Sequence, residues 1–190
     1  MKFERLEIQD LVLIEPTVIE DKRGFFSESF RLDKLEEFIG YKLQFCQENE
    51  SKSKYGVLRG LHYQLNPFAQ TKLVRVIEGS VLDVAVDIRV GSPTFGKHIS
   101  IELNSKNKKQ LLIPRGFAHG FIVLSKEAVF SYKVDNYYNP KYDRGISFSD
   151  PSLNVDWSIL SKNIKLSEKD LTRPLLCDAE LFNFNTKLYD

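Results

Sequence analysis

The chain has 190 residues, 42% of them hydrophobic and 12% aromatic, enough to bury one sizeable core in a single domain over residues 1–190. Its 27 basic and 26 acidic side chains leave a net charge of +1, so no general field draws it to nucleic acid or to a membrane surface. No apolar stretch approaches the roughly 20 residues that span a bilayer.

The N-terminal "MKFERLEIQDLVLIEP" lacks the pattern of a signal peptide. Cys46 and Cys177 are far apart and suggest no disulfide framework, so the cytoplasm is the expected compartment. The first predicted element is a short helix near residues 34–39. Asp33 could cap it, Glu36 sits where a capping box wants an acid, and Gly40 could end it. "KLVRVIEGSVLDVAVDIRV" (72–90) predicts two strands joined at Glu78-Gly79-Ser80. In the second, Val84, Val86, Ile88 and Val90 point one way, while Asp83, Ala85, Asp87 and Arg89 point the other. "GSPTFG" (91–96) is turn-rich. "HISIEL" (98–103) alternates again, and "NSKNKK" (104–109) is a polar turn. "QLLIP" (110–114) and "HGFIVLS" (119–125) predict two strands around the bend "RGFA". "AVFSYKVDNYY" (128–138) puts Phe130, Tyr132 and Val134 on one face. The tail after Pro151 is less regular, with helical turns starting near "LSEKD" (166–170). Many short strands with Gly and Pro between them predict an all-β antiparallel sandwich or barrel, best matched by a jelly roll.

Four stretches could carry chemistry. "GVLRGLHYQ" (56–64) holds His62, one of three histidines. Alone it is more often a structural residue than a catalytic one, but Arg59 and Lys72 nearby are costly to bury unpaired, and both could serve an anion. The histidines show no paired spacing of the kind that metal-binding cupins carry, and neither cysteine has a second ligand at zinc-like spacing. Metal-free acid–base work is the better functional reading of His62. "IPRGFAHGF" (113–121) predicts a tight bend, with Gly116 and Gly120 supplying unusual backbone angles. His119 within it could be structural, or could hydrogen-bond a phosphate or sugar. Tyr132 could be packing or a proton donor, and Tyr137 or Tyr138 could stack on a flat ring. Ser167 and Asp170 fit a helix capping box. Alternatively, Asp170 could orient His62, a choice that spacing does not decide.

Taken together, six stretches resemble the dTDP-4-dehydrorhamnose 3,5-epimerases, cofactor-free sugar-nucleotide epimerases of the cupin superfamily. They are "DKRGFFSESF" (21–30), "FCQENESKSKYGVLRGLHYQ" (45–64), "QTKLVRVIEGSVLDVAVDIRVGSPTFGK" (70–97), "LLIPRGFAHGFIVLS" (111–125), "YKVDNYYNPKYDRGISFSDP" (132–151) and "LSEKDLTRPLL" (166–176). The resemblance implies a cupin-type jelly roll, no cofactor and no metal. It implies a homodimer whose N-terminal region contributes to the partner's site, and a dTDP-4-keto-6-deoxy sugar as substrate. It implies that His62 is the base, Asp170 its partner, Tyr132 the acid and Lys72 the group at the keto oxygen. Arg23, Phe26, Glu28, Gln47, Glu48, Asn49, Arg59, Lys72, His119, Asp143 and Lys169 match substrate-binding positions, and Tyr138 matches the residue that stacks on thymine. Asp143 stands where the family usually has glutamate, and "SFSDP" (147–151) and "DWSIL" (156–160) also depart from its pattern. A relative that inverts C3 or C5 alone would carry the same residues. A non-catalytic binding module would have lost some of them, and a metal-dependent cupin oxygenase would need ligands not evident here.

Overall fold

The computed structural model describes residues 1–189. In chain order its strands are β1 (Lys2–Arg5), β2 (Val12–Glu15), β3 (Val18–Asp21), β4 (Gly24–Ser27), β5 (Gln47–Lys54), β6 (Leu58–Gln64), β7 (Lys72–Glu78), β8 (Ser80–Asp87), β9 (Arg89–Val90), β10 (His98–Asn104), β11 (Gln110–Ile113), β12 (Phe117–Val123), β13 (Glu127–Val134), β14 (Asp143–Gly145) and β15 (Phe182–Asn183). Helices among the described residues are α1 (Leu32–Ile39), α2 (Glu168–Leu171) and two 3₁₀ turns, Ser161–Asn163 and Leu176–Asp178. None is long and apolar enough to cross a membrane.

Two antiparallel sheets carry the fold. One has the order β1-β2-β11-β7-β13-β5, the other β10-β8-β12-β6-β14. Their inner faces meet in a layer that includes Val74, Val76, Ala85, Phe121 and Phe130. The outer face of the five-stranded sheet is also buried. Tyr63, Val84, Val86 and Ile88 pack there against Leu153, Trp157, Leu176 and Phe182 of the tail. On the six-stranded sheet, Leu35 and Ile39 of α1 cover Val12, Leu73 and Leu112. This is the all-β jelly-roll sandwich that the strand pattern predicts, and its double covering explains the near-continuous apolar runs in β8 and β12.

Several boundaries differ from expectation. The helix begins at Leu32 with Arg31 as N-cap, not Asp33. Asp33 instead pairs with Arg31 at 2.5 Å, and Glu36 accepts from Leu43 N at 3.0 Å and from Lys42 Nζ at 2.7 Å. An acid tied to residues beyond the helix cannot reach back to form a capping box. Gly40 does end the helix, in the left-handed region at φ 86°. The predicted strand through Val90 stops at Asp87. The Asp87 carboxylate accepts from Arg89 N, Ser92 Oγ and Thr94 Oγ1, which folds the chain over and leaves Val90 48% exposed. The strand expected from His119 starts at Phe117, so His119 lies within β12 and not in the bend. Gly116 has the expected positive φ of 91°, but Gly120 is needed for space. A Cβ there would stand 2.8 Å from Arg59 O and 2.9 Å from Gly60 Cα.

That close approach marks a bulge that matters to the site. His119 pairs with His62, and Phe121 with Arg59. Two residues of β12 therefore span three steps of β6. In a regular strand, positions 59 and 62 would face opposite sides. The extra residue in β6 turns both toward the same cavity.

Candidate active site

A cavity of about 420 Å³ takes its lining from both sheets and from the α2 segment. It brings together Asn49 of β5, Arg59 and His62 of β6, Lys72 of β7, His119 of β12, Tyr132 of β13, and Lys169 and Asp170 of α2. Phe121 and Phe130 supply an apolar wall, with ring centroids 4.1 Å apart.

His62 Nε2 lies 2.5 Å from Asp170 Oδ1. Ser167 Oγ donates to Asp170 Oδ2 at 2.9 Å and accepts from Asp170 N at 3.2 Å. The capping role of Ser167 and the pairing of Asp170 with His62 are thus one arrangement. The cap fixes the turn, and the turn aims the carboxylate. Burial opposes ionisation of Asp170, but the hydrogen bond and charge of His62, with Ser167 and Arg173, hold its carboxyl below the ordinary value. A carboxylate partner makes Nε2 the donor and leaves the lone pair of the imidazole at Nδ1.

Lys72 donates to His62 O at 3.2 Å. Burial pushes its ammonium down to about 8, against the pull of Asp143 and Asp83. Burial also raises the Tyr132 phenol, more than Arg59 and the hydrogen bond with Asn49 lower it. Tyr132 therefore keeps its proton at neutral pH. Asn49 stands directly opposite Tyr132 in the β5–β13 register.

The remaining predicted residues fall into distinct places. Arg59 Nε donates to Ser53 Oγ at 3.1 Å. Gln47 donates to Asn49 Oδ1 at 2.8 Å and accepts from Tyr138 N at 3.2 Å, which sets the half-exposed Tyr138 beside β5. Asp143 is outside the lining but pairs with Lys169 at 2.5 Å and Arg173 at 2.8 Å. Burial works against its ionisation, and those two cations prevail and lower it.

Arg23, Phe26, Glu28 and Glu48 do not reach this cavity. Arg23 pairs with Asp21 in the β3–β4 hairpin, where Phe26 is 69% exposed. Glu28 pairs with Arg31 and Lys34. Glu48 accepts from Ser131 Oγ and Lys133 Nζ, away from the cavity side that Asn49 takes, as strand alternation requires.

Sequence reasoning passed over Asp83, Ser53 and the Phe121–Phe130 wall. Asp83 carried a usable signal. In a strand covered on both faces, an acid set between Leu82 and Val84 must find a partner, and Asp83 Oδ2 lies 2.9 Å from His119 Nε2. No group of three His, Cys, Asp or Glu side chains among the described residues is placed to hold a metal ion.

The family profile described as dTDP-4-dehydrorhamnose 3,5-epimerase matches residues 5–178. A Shigella flexneri protein of that name is 53% identical over 182 residues, covering 96% of this chain and 99% of its own. The crystal structure of the dTDP-4-dehydrorhamnose 3,5-epimerase from Elizabethkingia anophelis NUHP1 superposes with a TM-score of 0.90 at 51% identity, covering 94% of this chain and 97% of that one. A dTDP-6-deoxy-D-glucose-3,5-epimerase from Legionella pneumophila, solved in complex with dTDP-4-keto-L-rhamnose, superposes with a TM-score of 0.93 at 45% identity, covering 97% and 99%. With the jelly roll and these matches in agreement, the chain belongs to the dTDP-4-dehydrorhamnose 3,5-epimerase family of isomerases.

Proposed function

We propose that this protein inverts C3 and C5 of dTDP-4-dehydro-6-deoxy-D-glucose to give dTDP-4-dehydro-L-rhamnose. One observation carries the reading. His62, backed by Asp170, and Tyr132 reach a single cavity from opposite sheets, with Lys72 in the same lining.

The C4 ketone acidifies the protons at C3 and C5. His62 takes one of them, and the electron pair moves onto the C4 oxygen as an enolate. The Lys72 ammonium stabilises that oxygen in a poorly hydrated site. Tyr132 returns a proton to carbon from the other face, and the enolate collapses back to the ketone. Solvent then takes the proton from His62 and returns one to Tyr132, and the step repeats at the second carbon, with no net redox change. Arg59 suits the diphosphate through forked hydrogen bonds, and Lys169 adds a cation to the same lining. Gln47 and Asn49 hold the β5 edge of the site, Tyr138 stacks on the thymine, and Asp143 acts through Lys169. Glu48 has no place in this reading, because Ser131 and Lys133 occupy its carboxylate.

Arg23, Phe26 and Glu28 fit the site of a second copy. The β3–β4 hairpin supports a homodimer, since Ile19 and Phe26, paired across it, are 62% and 69% exposed, an apolar patch that association would cover. Two exposed free thiols, Cys46 and Cys177, suit the reducing cytoplasm.

The test is proton NMR of dTDP-4-dehydro-6-deoxy-D-glucose with the protein in D2O, followed by trapping with a 4-keto reductase and NADPH. Deuterium at both C3 and C5, with dTDP-L-rhamnose trapped, is expected. Label at one carbon would make this a single-position epimerase, and no label at either would end the epimerase reading.

Two variants probe the assigned roles. Tyr132→Phe is expected to keep solvent exchange at the acidified carbons but to lose most completed inversion, by about 10²-fold or more. Normal double inversion would remove Tyr132 as the acid. Asp170→Asn is expected to lower kcat by roughly 10²–10⁴-fold. It should also change the shape of the pH–rate profile, because the ring loses the carboxylate that aims it. An unchanged profile would return Asp170 to a purely capping role.

A further inference from the structure

His119 stands opposite His62 in the β6–β12 register, next to the base and therefore toward the reacting sugar. It is 6% exposed, and its Nε2 meets Asp83 Oδ2 at 2.9 Å. Asp83 is fully buried on β8, and its other oxygen, Oδ1, has no hydrogen-bond partner. A carboxylate offers lone pairs alone, so the nitrogen facing it carries the proton. Burial favours the neutral ring, and Lys72 and His62 push the same way against the pull of Asp83. A neutral imidazole has one N–H, and here Asp83 holds it. What remains at Nδ1 is a lone pair. A lone pair accepts from a hydroxyl and repels a phosphate oxygen.

We infer that Asp83 fixes His119 as a hydrogen-bond acceptor for a sugar hydroxyl, so that His119 reads the hexose of a bound nucleotide sugar and not its diphosphate. The inference rests on the nucleotide-sugar reading above. Asp83 is a positioning residue in it, because it acts through the His119 ring.

The experiment pairs calorimetric titrations of dTDP and dTDP-glucose with ¹⁵N NMR of the histidine rings in the intact protein. In the wild type, the His119 signals are expected to show a protonated Nε2 and an unprotonated Nδ1. His119→Leu is expected to weaken dTDP-glucose roughly tenfold, the loss of one buried hydrogen bond, and to change dTDP less than twofold. Asp83→Asn offers the ring either an acceptor or a donor. Its His119 signals are expected to show mixed tautomers, with dTDP-glucose again weakened and dTDP spared. Equal losses for both ligands in His119→Leu would put His119 on the diphosphate and overturn the inference. A protonated Nδ1 in the wild type would overturn it without any variant. Wild-type protein that binds neither ligand would remove the nucleotide-sugar reading itself, and this inference with it.

Discussion

His62→Ala is expected to lower kcat by about 10³-fold or more while the protein stays folded and still binds dTDP. General bases contribute roughly 10²–10⁴-fold, and one imidazole here would serve two deprotonations. The fold has reason to survive. His62 is about one-third exposed at its side chain, so the substitution opens the cavity and creates little sealed void. Asp170 keeps Ser167 as a donor, and water entering the opened space can solvate the freed oxygen. Stopped-flow or NMR turnover, with a thermal melt beside it, checks both halves. Turnover within tenfold of wild type would take the base assignment away from His62.

Lys72→Met carries the second large effect. Removing a fixed charge from a developing oxyanion costs roughly 10²–10³-fold in kcat, and the apolar walls of this cavity favour the upper end. The charge also sets a pH dependence. The ammonium is lowered to about 8, and the protonated form is the useful one, so wild-type activity should fall as pH rises through about 8. Lys72→Arg should retain part of the activity and lose that limb, because a guanidinium stays charged across the range. Stability should run the other way. The unfolded lysine titrates near 10.5 and the folded one near 8. Between those values the unfolded chain binds more protons, and stability rises with pH. Methionine removes the buried charge, so Lys72→Met should melt no lower than wild type at pH 7. A variant of full activity, or a pH–rate profile that stays flat through pH 9, would take Lys72 off the keto oxygen.

Much of the fold was legible because β-branched alternation survives in the two-faced core. The strands around Val74–Val76, Val81–Val86 and Ile99–Leu103 were placed by their period alone. What defeated the pattern was chemistry between residues close in sequence but set by geometry. Asp87 ends its strand by collecting donors from Arg89, Ser92 and Thr94. Arg31 takes over the start of the helix by pairing with Asp33. Arg59 and His62 share a cavity only because β6 carries an extra residue opposite Gly120, and no count along one strand shows that. The joining of His62 to Asp170 across 108 positions was open from spacing and came from family likeness. Arg23 and Phe26 were legible as residues of interest, but their hairpin leaves the cavity of its own chain.

The distance along the chain between those two partners also makes the site depend on a seam far from it in sequence. Every strand of the two main sheets is in place by Gly145, whereas Asp170 arrives with a four-residue helix beyond them. Val57 bridges to Lys165, and Lys165 N donates to Gly56 O at 2.8 Å, so the tail must zip onto the barrel before the carboxylate can reach its imidazole. Without that segment the site would hold an idle histidine, and the outer face of the five-stranded sheet would lose its cover of Leu153, Trp157, Leu176 and Phe182. Full isomerase activity therefore depends on the docking of this segment, which makes turnover a reporter of an intact seam between the tail and the sheets.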